Sequence, residues 1–316
     1  MSFTMESYYI KVDNMNNSSE QDSTIIMVGI QNGVDAWVNY YQPNGSPPAH
    51  NDMAILLGSK DMVSHRMRIH DLRPAMDRFA LDANGFQCAT LHSQVTDFGD
   101  ESQIRNVYFK EVEQLIKETT GASRVLVYNH TVRSKPSNEF GDQVKGRYQG
   151  IDGPAYRIHV DQTPEGAQNT VRFMFPELAH EVDAGNFQLL NVWRPLKKVN
   201  RDPLMVADMA VLPTEDLIRV PRSYYDGLQS SNYVVKYDGR PAVEASDPVA
   251  DGISNGGEHS WWYIDQQEAH EAIIFSCSDL RPGKRPEGTV HGSFLLPDQD
   301  GNPPRQSVEV RVVAFF

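Results

Sequence analysis

The sequence predicts an α+β protein with a double-stranded β-helix (jelly-roll) core, flanked by helices from the N-terminal third of the chain. Residues 124–316 contain short runs rich in β-branched and aromatic residues, with turn-forming residues between most of them. The first 123 residues contain one strongly amphipathic segment and little other regular pattern. An antiparallel barrel or a double-sheet jelly roll, with packing helices from the front third, fits this order of elements.

The amphipathic segment follows Asp100 and predicts a helix, because its apolar residues recur at helical spacing. Gly121 ends the segment and is a typical helix stop. Before it, residues 13–23 are polar and residues 42–52 are rich in Pro and Gly, so both are expected to be loops. The apolar positions of the helix are Ile104, Val107, Tyr108, Val112, Leu115 and Ile116.

The rest of the chain is mostly β-rich, with weaker helical patterns over residues 176–184 and 202–219. No shift in composition divides the chain, so we expect one domain over residues 1–316. In it, residues 1–123 form a mixture of helices and strands that pack on a core formed by 124–316, and residues near 197–258 form a lid-like insert. Strands are predicted over residues 124–132, 155–162, 187–196, 260–264, 271–277, 288–296 and 307–316.

Composition narrows the classes of partner. The chain has 29 Lys and Arg against 42 Asp and Glu, a net charge of −13, and no basic cluster that could neutralise nucleic-acid phosphates or an anionic membrane. Its two cysteines, Cys88 and Cys277, cannot build a disulfide framework or a Cys-rich zinc site. We therefore expect a cytoplasmic protein with a small-molecule ligand and no nucleic-acid or membrane partner, and we leave a homodimer open.

One predicted strand, AYRIHVDQ at residues 155–162, carries a His-x-Asp pair. Side chains alternate between the faces of a strand, so Arg157, His159 and Asp161 project from one face. An imidazole beside a carboxylate supplies two of the three ligands in a 2-His-1-carboxylate iron site. The pair alone is a weak signal, because a second copy lies in the Pro-rich loop at residues 50–52, and an ion pair on a barrel face is the alternative.

The third ligand must come from a distant part of the chain. His291 is the candidate, because a late strand of a jelly roll pairs beside an early one. Arg305 and Ser307 open the last predicted strand two positions apart, and a guanidinium and a hydroxyl on one face can together hold a carboxylate. His259 is a rival for the distal ligand, but no Arg-x-Ser pair follows it at short range.

This order of residues resembles the Fe(II)/2-oxoglutarate-dependent dioxygenases, and more narrowly the gibberellin A4 desaturase/AsaB-like group of fungal secondary metabolism. The resemblance covers roughly residues 124–316, and the N-terminal third matches only loosely. Two stretches depart from the family pattern, at residues 276–280 and at Gln306, and these departures concern the substrate pocket. The matching motifs are YNHTVR (128–133), HVDQT (159–163), NVWRPL (191–196), HSWWY (259–263), HGSF (291–294) and RQSVEVR (305–311).

The resemblance implies a single oxygenase domain in which His159, Asp161 and His291 bind Fe(II), while Arg305 and Ser307 bind the distal carboxylate of 2-oxoglutarate. With O2 as co-substrate, such an enzyme oxidises an unactivated C–H bond by hydroxylation, desaturation or ring closure, such as aziridine formation. We expect a small, carboxylate-bearing substrate derived from secondary metabolism or an amino acid. Substrate-binding candidates are Asn191, Arg194, His259, Trp262 and Arg133.

Two alternatives remain open at this point. A non-catalytic homologue could serve as the partner subunit of an active oxygenase, although the complete set of five motif residues argues against it. A cupin-like metal enzyme without 2-oxoglutarate is the other alternative, and it has no use for the Arg-x-Ser pair. Arg194 packed on an aromatic ring is the structural alternative to its role as a substrate anchor.

Overall fold

A computed structural model describes residues 33–52, 55, 60–134, 153–224, 226–238 and 259–316, and its strands form two sheets. The expected loop at residues 13–23 lies outside these residues. Within them, no helix is both long enough and apolar enough to cross a bilayer. The strands are β1 Gly33–Tyr41, β2 Met62–Asp71, β3 Phe86–Thr90, β4 Arg124–Arg133, β5 His159–Val160, β6 Phe187–Pro195, β7 Leu204–Ala207, β8 Leu217–Ser223, β9 Gln229–Val235, β10 Trp261–Tyr263, β11 Glu271–Asp279, β12 His291–Ser293 and β13 Ser307–Phe315.

Helices are few in the described residues and lie mainly beside the smaller sheet. The helix predicted after Asp100 is confirmed: it runs through a π turn at Ile104–Tyr108 and stops at Gly121, whose φ of 71° suits glycine. Short 3-10 turns occur at Arg73–Arg78, Pro176–Leu178 and Thr214–Asp216. The α-helices are α1 Leu81–Asn84, α2 Glu101–Gln103, α3 Phe109–Thr120, α4 Pro164–Met174 and α5 Ala179–Ala184.

The two sheets form the jelly-roll core that the sequence predicts. The larger sheet has the order β1-β2-β10-β7-β12-β5-β9-β8, and the smaller has the order β3-β11-β6-β13-β4. Among these described strands, all pairings are antiparallel except that of β10 with β2. Strands distant in sequence become neighbours, and β12 therefore brings His291 directly opposite His159 on β5.

Register aligns one row of side chains across the larger sheet. Cross-strand partners point to the same face of a sheet, so the paired positions belong to a single row. Members of this row, Val206 and Trp262, pack in one cluster with Trp193 and Phe275 of the smaller sheet, so the row faces the interior between the sheets. From one side to the other it contains His70, Trp262, Val206, His291, His159 and Val234.

The opposite face of the smaller sheet packs on α3. Val112 and Ile116 of this helix form one cluster with Leu190 and Val192 of β6, and with the even-numbered residues of β13 from Val308 to Ala314. The odd-numbered residues Ser307, Glu309 and Arg311 consequently face the interior, because side chains alternate along a strand. This arrangement sets the direction of every site residue on β6 and β13.

Two sequence predictions differ from the structure. The helical pattern at 202–219 is wrong: its first part is strand β7, which is fully buried between β10 and β12. Over its described part, the segment expected as a lid-like insert supplies strands β7, β8 and β9 to the larger sheet. The N-terminal third combines helices with strands: β1 and β2 edge the larger sheet, and β3 edges the smaller one.

Helix α4 is absent from the sequence prediction, although its start carries a recognisable signal. The side chain of Thr163 accepts a hydrogen bond from the main-chain N–H of Gly166, and Pro164 occupies the first helical position. The helix begins three residues after Asp161, so the chain turns away from the sheet immediately beyond the His-x-Asp pair.

Candidate metal centre

His159, Asp161 and His291 come together in the interior between the sheets. Each offers one ligand atom, and the three atoms lie within 4.8 Å of one another. The two imidazole rings are 4.5 Å apart between centroids, and His159 Nε2 lies 3.3 Å from Asp161 Oδ1. Two nitrogens and one carboxylate oxygen at this spacing are the donor set of a non-haem Fe(II) site that keeps coordination positions open.

Both imidazoles are oriented in the same way by the main chain. Nδ1 of His159 lies 2.9 Å from the carbonyl oxygen of Arg157, and Nδ1 of His291 lies 3.0 Å from that of Thr289. A carbonyl oxygen can only accept, so each Nδ1 must carry the proton and each Nε2 presents its lone pair. Histidine ligands of metals commonly have their second nitrogen held in this way.

The protonation states also suit a metal. Burial, followed by the neighbouring His291, lowers the pKa of His159 to about 4, so this imidazole is neutral at neutral pH. Burial by itself would raise the pKa of the Asp161 carboxyl, but the positive charge of Arg311 holds it well below its usual value. A neutral imidazole and an ionised carboxylate are the forms that bind divalent iron.

Arg305 and Ser307, the two residues predicted to bind a carboxylate, lie at the start of β13. Arg305 and Ser307 are 6% and 1% exposed. Burial first and then the charge of Arg133 lower the pKa of Arg305 to about 10, which leaves it cationic at neutral pH. Its Nη1 donates to Ser293 Oγ at 2.8 Å, whereas its Nε and the Ser307 Oγ have no hydrogen-bond partner among the described residues. A buried cation and hydroxyl with unused donors fit a carboxylate ligand.

Trp262 and Asn191 line the same interior as the metal ligands. Trp262 belongs to the row that contains His291, and its indole Nε1 donates to Ser260 Oγ at 2.9 Å. Asn191 projects from β6 and donates from Nδ2 to Asp161 Oδ2 at 3.0 Å, while its Oδ1 is buried without a partner among the described residues. Both therefore stay candidates for contact with a substrate.

Arg194 and His259 lie away from this interior. Arg194 projects from the opposite face of β6, where its Nε donates to Tyr108 Oη at 3.1 Å and its guanidinium lies over the Phe98 ring. Nε2 of His259 lies 3.0 Å from Asp216 Oδ2, and its ring is outside the cluster of metal-ligating groups in the described residues. These contacts favour structural roles for both side chains.

Arg133 occupies an intermediate position. It ends β4 directly opposite Ser307, and its Nη1 donates to the carbonyl oxygen of Gly153 at 2.9 Å. Its charge acts on Arg305, so the two cations lie near each other at one end of the site. Arg133 is thus placed beside the carboxylate-binding pair rather than beside the metal ligands.

Two interior groups carry no role in the sequence prediction. Arg311 contacts Asp161, and Asn232 of β9 donates to the main-chain oxygen of the same residue. Arg311 could have been found from periodicity, because it lies on the same face as Ser307 at even spacing. No local signal in the sequence points to Asn232, whose approach to Asp161 depends on the pairing of β5 with β9.

Comparisons with known proteins agree with this geometry. A family model described as an oxidoreductase/YMDC permease-like domain matches residues 38–243 and 249–315. Oxidoreductase AN1597 of Emericella nidulans is 59% identical over 264 residues, which cover 83% of this chain and 89% of that protein. The alpha-ketoglutarate-dependent dioxygenase phiK of a fungal species is 34% identical over 290 residues, or 90% of this chain and 97% of that protein.

A solved structure shows the same fold. The iron and alpha-ketoglutarate-dependent endoperoxidase NvfI superposes with a TM-score of 0.70 at 22% identity, over 91% of this chain and 99% of that chain. At this identity the likeness concerns the fold alone. The relatives and the donor set together decide between the alternatives that the sequence left open, in favour of an iron- and 2-oxoglutarate-dependent enzyme.

Proposed function

The chain belongs to the Fe(II)/2-oxoglutarate-dependent dioxygenases of the gibberellin A4 desaturase/AsaB-like group, and from this premise we propose that it oxidises an unactivated C–H bond of a small, carboxylate-bearing substrate. Hydroxylation, desaturation and ring closure are the outcomes open to it. The observation that carries the proposal is the His–Asp–His cluster together with two buried donors, Arg305 Nε and Ser307 Oγ, that have no hydrogen-bond partner among the described residues.

In this proposal His159, Asp161 and His291 hold Fe(II), and Arg305 with Ser307 holds the distal carboxylate of 2-oxoglutarate. Iron and 2-oxoglutarate, when bound with O2, supply the oxidising chemistry, in which decarboxylation to succinate and CO2 is coupled to removal of hydrogen from the substrate. The protein supplies two oriented imidazoles, one ionised carboxylate and a fixed cation. His291 and Arg305 are buried and the side chains of His159 and Asp161 are 14% exposed, so the surrounding protein limits the access of water to the reacting centre.

Substrate binding is assigned to the interior side chains nearest the ligands. Asn191 Oδ1 is a buried acceptor that can receive a hydrogen bond from a substrate donor, and Trp262 supplies an apolar wall. A substrate carboxylate finds positive charge at Arg133 and at Arg157, which is buried and lies two residues before His159. Burial lowers the pKa of Arg157 only to about 10, so it remains cationic.

The test of the reaction class is anaerobic addition of Fe(II), followed by 2-oxoglutarate, to the apoprotein. We expect a visible absorption band from iron-chelated 2-oxoglutarate, and succinate after O2 is admitted. The Asp161→Ala variant should bind Fe(II) much more weakly, through the two histidines alone, and should lose the band and succinate formation. Wild-type protein that binds iron but gives neither band nor succinate would contradict the proposal.

The substrate class needs a separate test. Pairs of small carboxylic acids and their methyl esters can be offered to the loaded enzyme, with succinate formation above the uncoupled background as the readout. We expect stimulation by acids and not by the matching esters, because only the acid carries a charge for the arginines. Equal stimulation by both members of a pair would refute a carboxylate-bearing substrate.

A further inference from the structure

Two side chains of the smaller sheet contact the carboxylate oxygen of Asp161 that does not face His159. Arg311 lies 3.2 Å from Asp161 Oδ2 through both Nε and Nη2, and Asn191 donates to the same oxygen from Nδ2 at 3.0 Å. The other oxygen, Oδ1, faces His159 Nε2. The two oxygens of this carboxylate therefore have different partners. Oδ2 contacts Arg311 and Asn191, whereas Oδ1 faces His159 in the candidate metal cluster.

Arg311 is itself immobilised by further contacts. Its Nη1 donates to Asn129 Oδ1 at 3.3 Å and to Thr131 Oγ1 at 3.1 Å, both on the neighbouring strand β4. Its Nη2 also forms an ion pair with Glu309, which lies two residues earlier on the same face of β13. All three guanidinium nitrogens are engaged in a planar fork, an arrangement that the single ammonium of a lysine cannot reproduce.

Register explains why these groups meet. Arg311 lies directly opposite Asn191 in the pairing of β13 with β6, so their side chains project side by side into the interior. Asn191 has to present its NH2 group to Asp161, because a carboxylate oxygen accepts only. Two donors from adjacent strands of the smaller sheet thus converge on one oxygen of a residue that directly follows β5 of the larger sheet.

We propose that Arg311, supported by Asn191, is a positioning residue that makes Asp161 a metal ligand through Oδ1 alone. This inference rests on the proposed iron site. A carboxylate free to rotate can chelate a metal with both oxygens and so occupy one more coordination position. Because the site must also accept 2-oxoglutarate and O2, holding Oδ2 away keeps these positions open.

Co(II) is a suitable probe, because its visible spectrum reports the number and arrangement of its ligands without any turnover. The variants are Arg311→Lys, which keeps the charge beside Glu309, and Asn191→Leu, which removes one donor at similar volume. Loss of a side chain that orients a metal ligand typically weakens metal affinity about 10- to 100-fold. We expect a loss of this order for Arg311→Lys, a smaller loss for Asn191→Leu, and a spectrum altered in the same direction in both.

Arg281→Met is the matched control, since Arg281 also pairs with a carboxylate two residues away, Asp279, but packs beside Phe316 outside the metal cluster. It should leave Co(II) affinity and spectrum unchanged, and thermal unfolding of each apoprotein identifies any general loss of structure. Both site variants are also made in an Asp161→Ala background. There neither should alter Co(II) affinity further, because each acts through the missing carboxylate.

The outcomes separate the two proposals. Wild-type Co(II) affinity and spectrum in Arg311→Lys and Asn191→Leu would overturn the positioning role. Equal losses with and without Asp161 would overturn it as well, since the effect would then bypass the carboxylate. If Asp161→Ala alone leaves Co(II) binding intact, the proposed metal site itself is wrong.

Discussion

Ser307→Ala separates ligand binding from folding more cleanly than any other change at the site. The hydroxyl of Ser307 is buried, and it makes no hydrogen bond to the described residues. Removing it therefore breaks no contact within the described protein, and alanine fills almost the same volume. If the hydroxyl serves only to bind 2-oxoglutarate, the variant should lose affinity for that co-substrate and nothing else.

The magnitude follows from the charge of the ligand. A hydrogen bond to a charged group contributes about 1.5–3 kcal/mol, and each 1.4 kcal/mol is a factor of ten, so the Kd for 2-oxoglutarate should rise about 10- to 150-fold. The free energy of unfolding of the apoprotein should not fall. A buried hydroxyl without a partner is unfavourable, so its removal is expected to leave stability equal or slightly higher.

The assay is an anaerobic titration of the Fe(II)-loaded protein with 2-oxoglutarate, followed through its visible absorption band. It gives Kd directly, whereas KM equals Kd only when chemistry is slow relative to dissociation. Denaturant unfolding of the apoprotein gives the second quantity. Ligand-induced stabilisation at a fixed 2-oxoglutarate concentration should shrink by about 1.4 kcal/mol for each tenfold loss of affinity.

Ser278→Ala is the matched control. Ser278 is also fully buried in a strand, but its Oγ donates to the carbonyl oxygen of Pro286 at 2.8 Å. Its loss should lower the free energy of unfolding by about 1 kcal/mol and leave the Kd for 2-oxoglutarate unchanged. An unchanged Kd in Ser307→Ala would refute the assignment, and so would a fall in stability equal to that of the control.

Three further substitutions distinguish a residue that binds 2-oxoglutarate from residues that stabilise the fold. Arg305→Leu should raise the KM for 2-oxoglutarate at least about 30-fold, because losing one partner of a buried charge pair costs about 2–5 kcal/mol; a KM within a few-fold of wild type would exclude Arg305 from the co-substrate site. Arg194→Leu removes hydrogen bonds to Tyr108 Oη and to the main chain. It should lower the free energy of unfolding by about 2–3 kcal/mol and leave the KM for 2-oxoglutarate unchanged. Loss of turnover without loss of stability would instead assign Arg194 to substrate binding. In Gly288→Ala the new Cβ would overlap the main-chain carbonyl group of Cys277, so denaturant unfolding should show a loss of at least about 1–3 kcal/mol, and wild-type stability would mean that the backbone yields freely there.

The sequence predicts well those features that local spacing determines. The period of two places His159 and Asp161 on one face, and the apolar spacing after Asp100 locates the long helix. The fully buried strand β7 resembles part of a helix in the sequence, because a short apolar run in a sheet centre shows no alternation. Its position between β10 and β12 is a consequence of pairing, which no local pattern reveals.

Alternation also explains which substrate candidates belong to the interior. Asn191 and Arg194 are three positions apart on β6, an odd separation that puts them on opposite faces, and one lies beside Asp161 while the other lies beside Tyr108. Ser307 and Arg311 are four apart, an even separation, and share the interior face. The alternation of side chains along β13 is therefore sufficient to assign Arg311 to the same face as Ser307.

Pairing between distant strands supplies what alternation cannot. Alternation turns Arg311 inward, but only the register of β13 with β6 puts it beside Asn191, and only the packing of the two sheets brings both to Asp161. One strand thereby serves both halves of the proposed site, with Ser307 at the end assigned to 2-oxoglutarate and Arg311 beside Asp161. A slip of β13 by one residue would turn both outward at once, so the register of this strand is a condition for the proposed binding of iron and of 2-oxoglutarate alike.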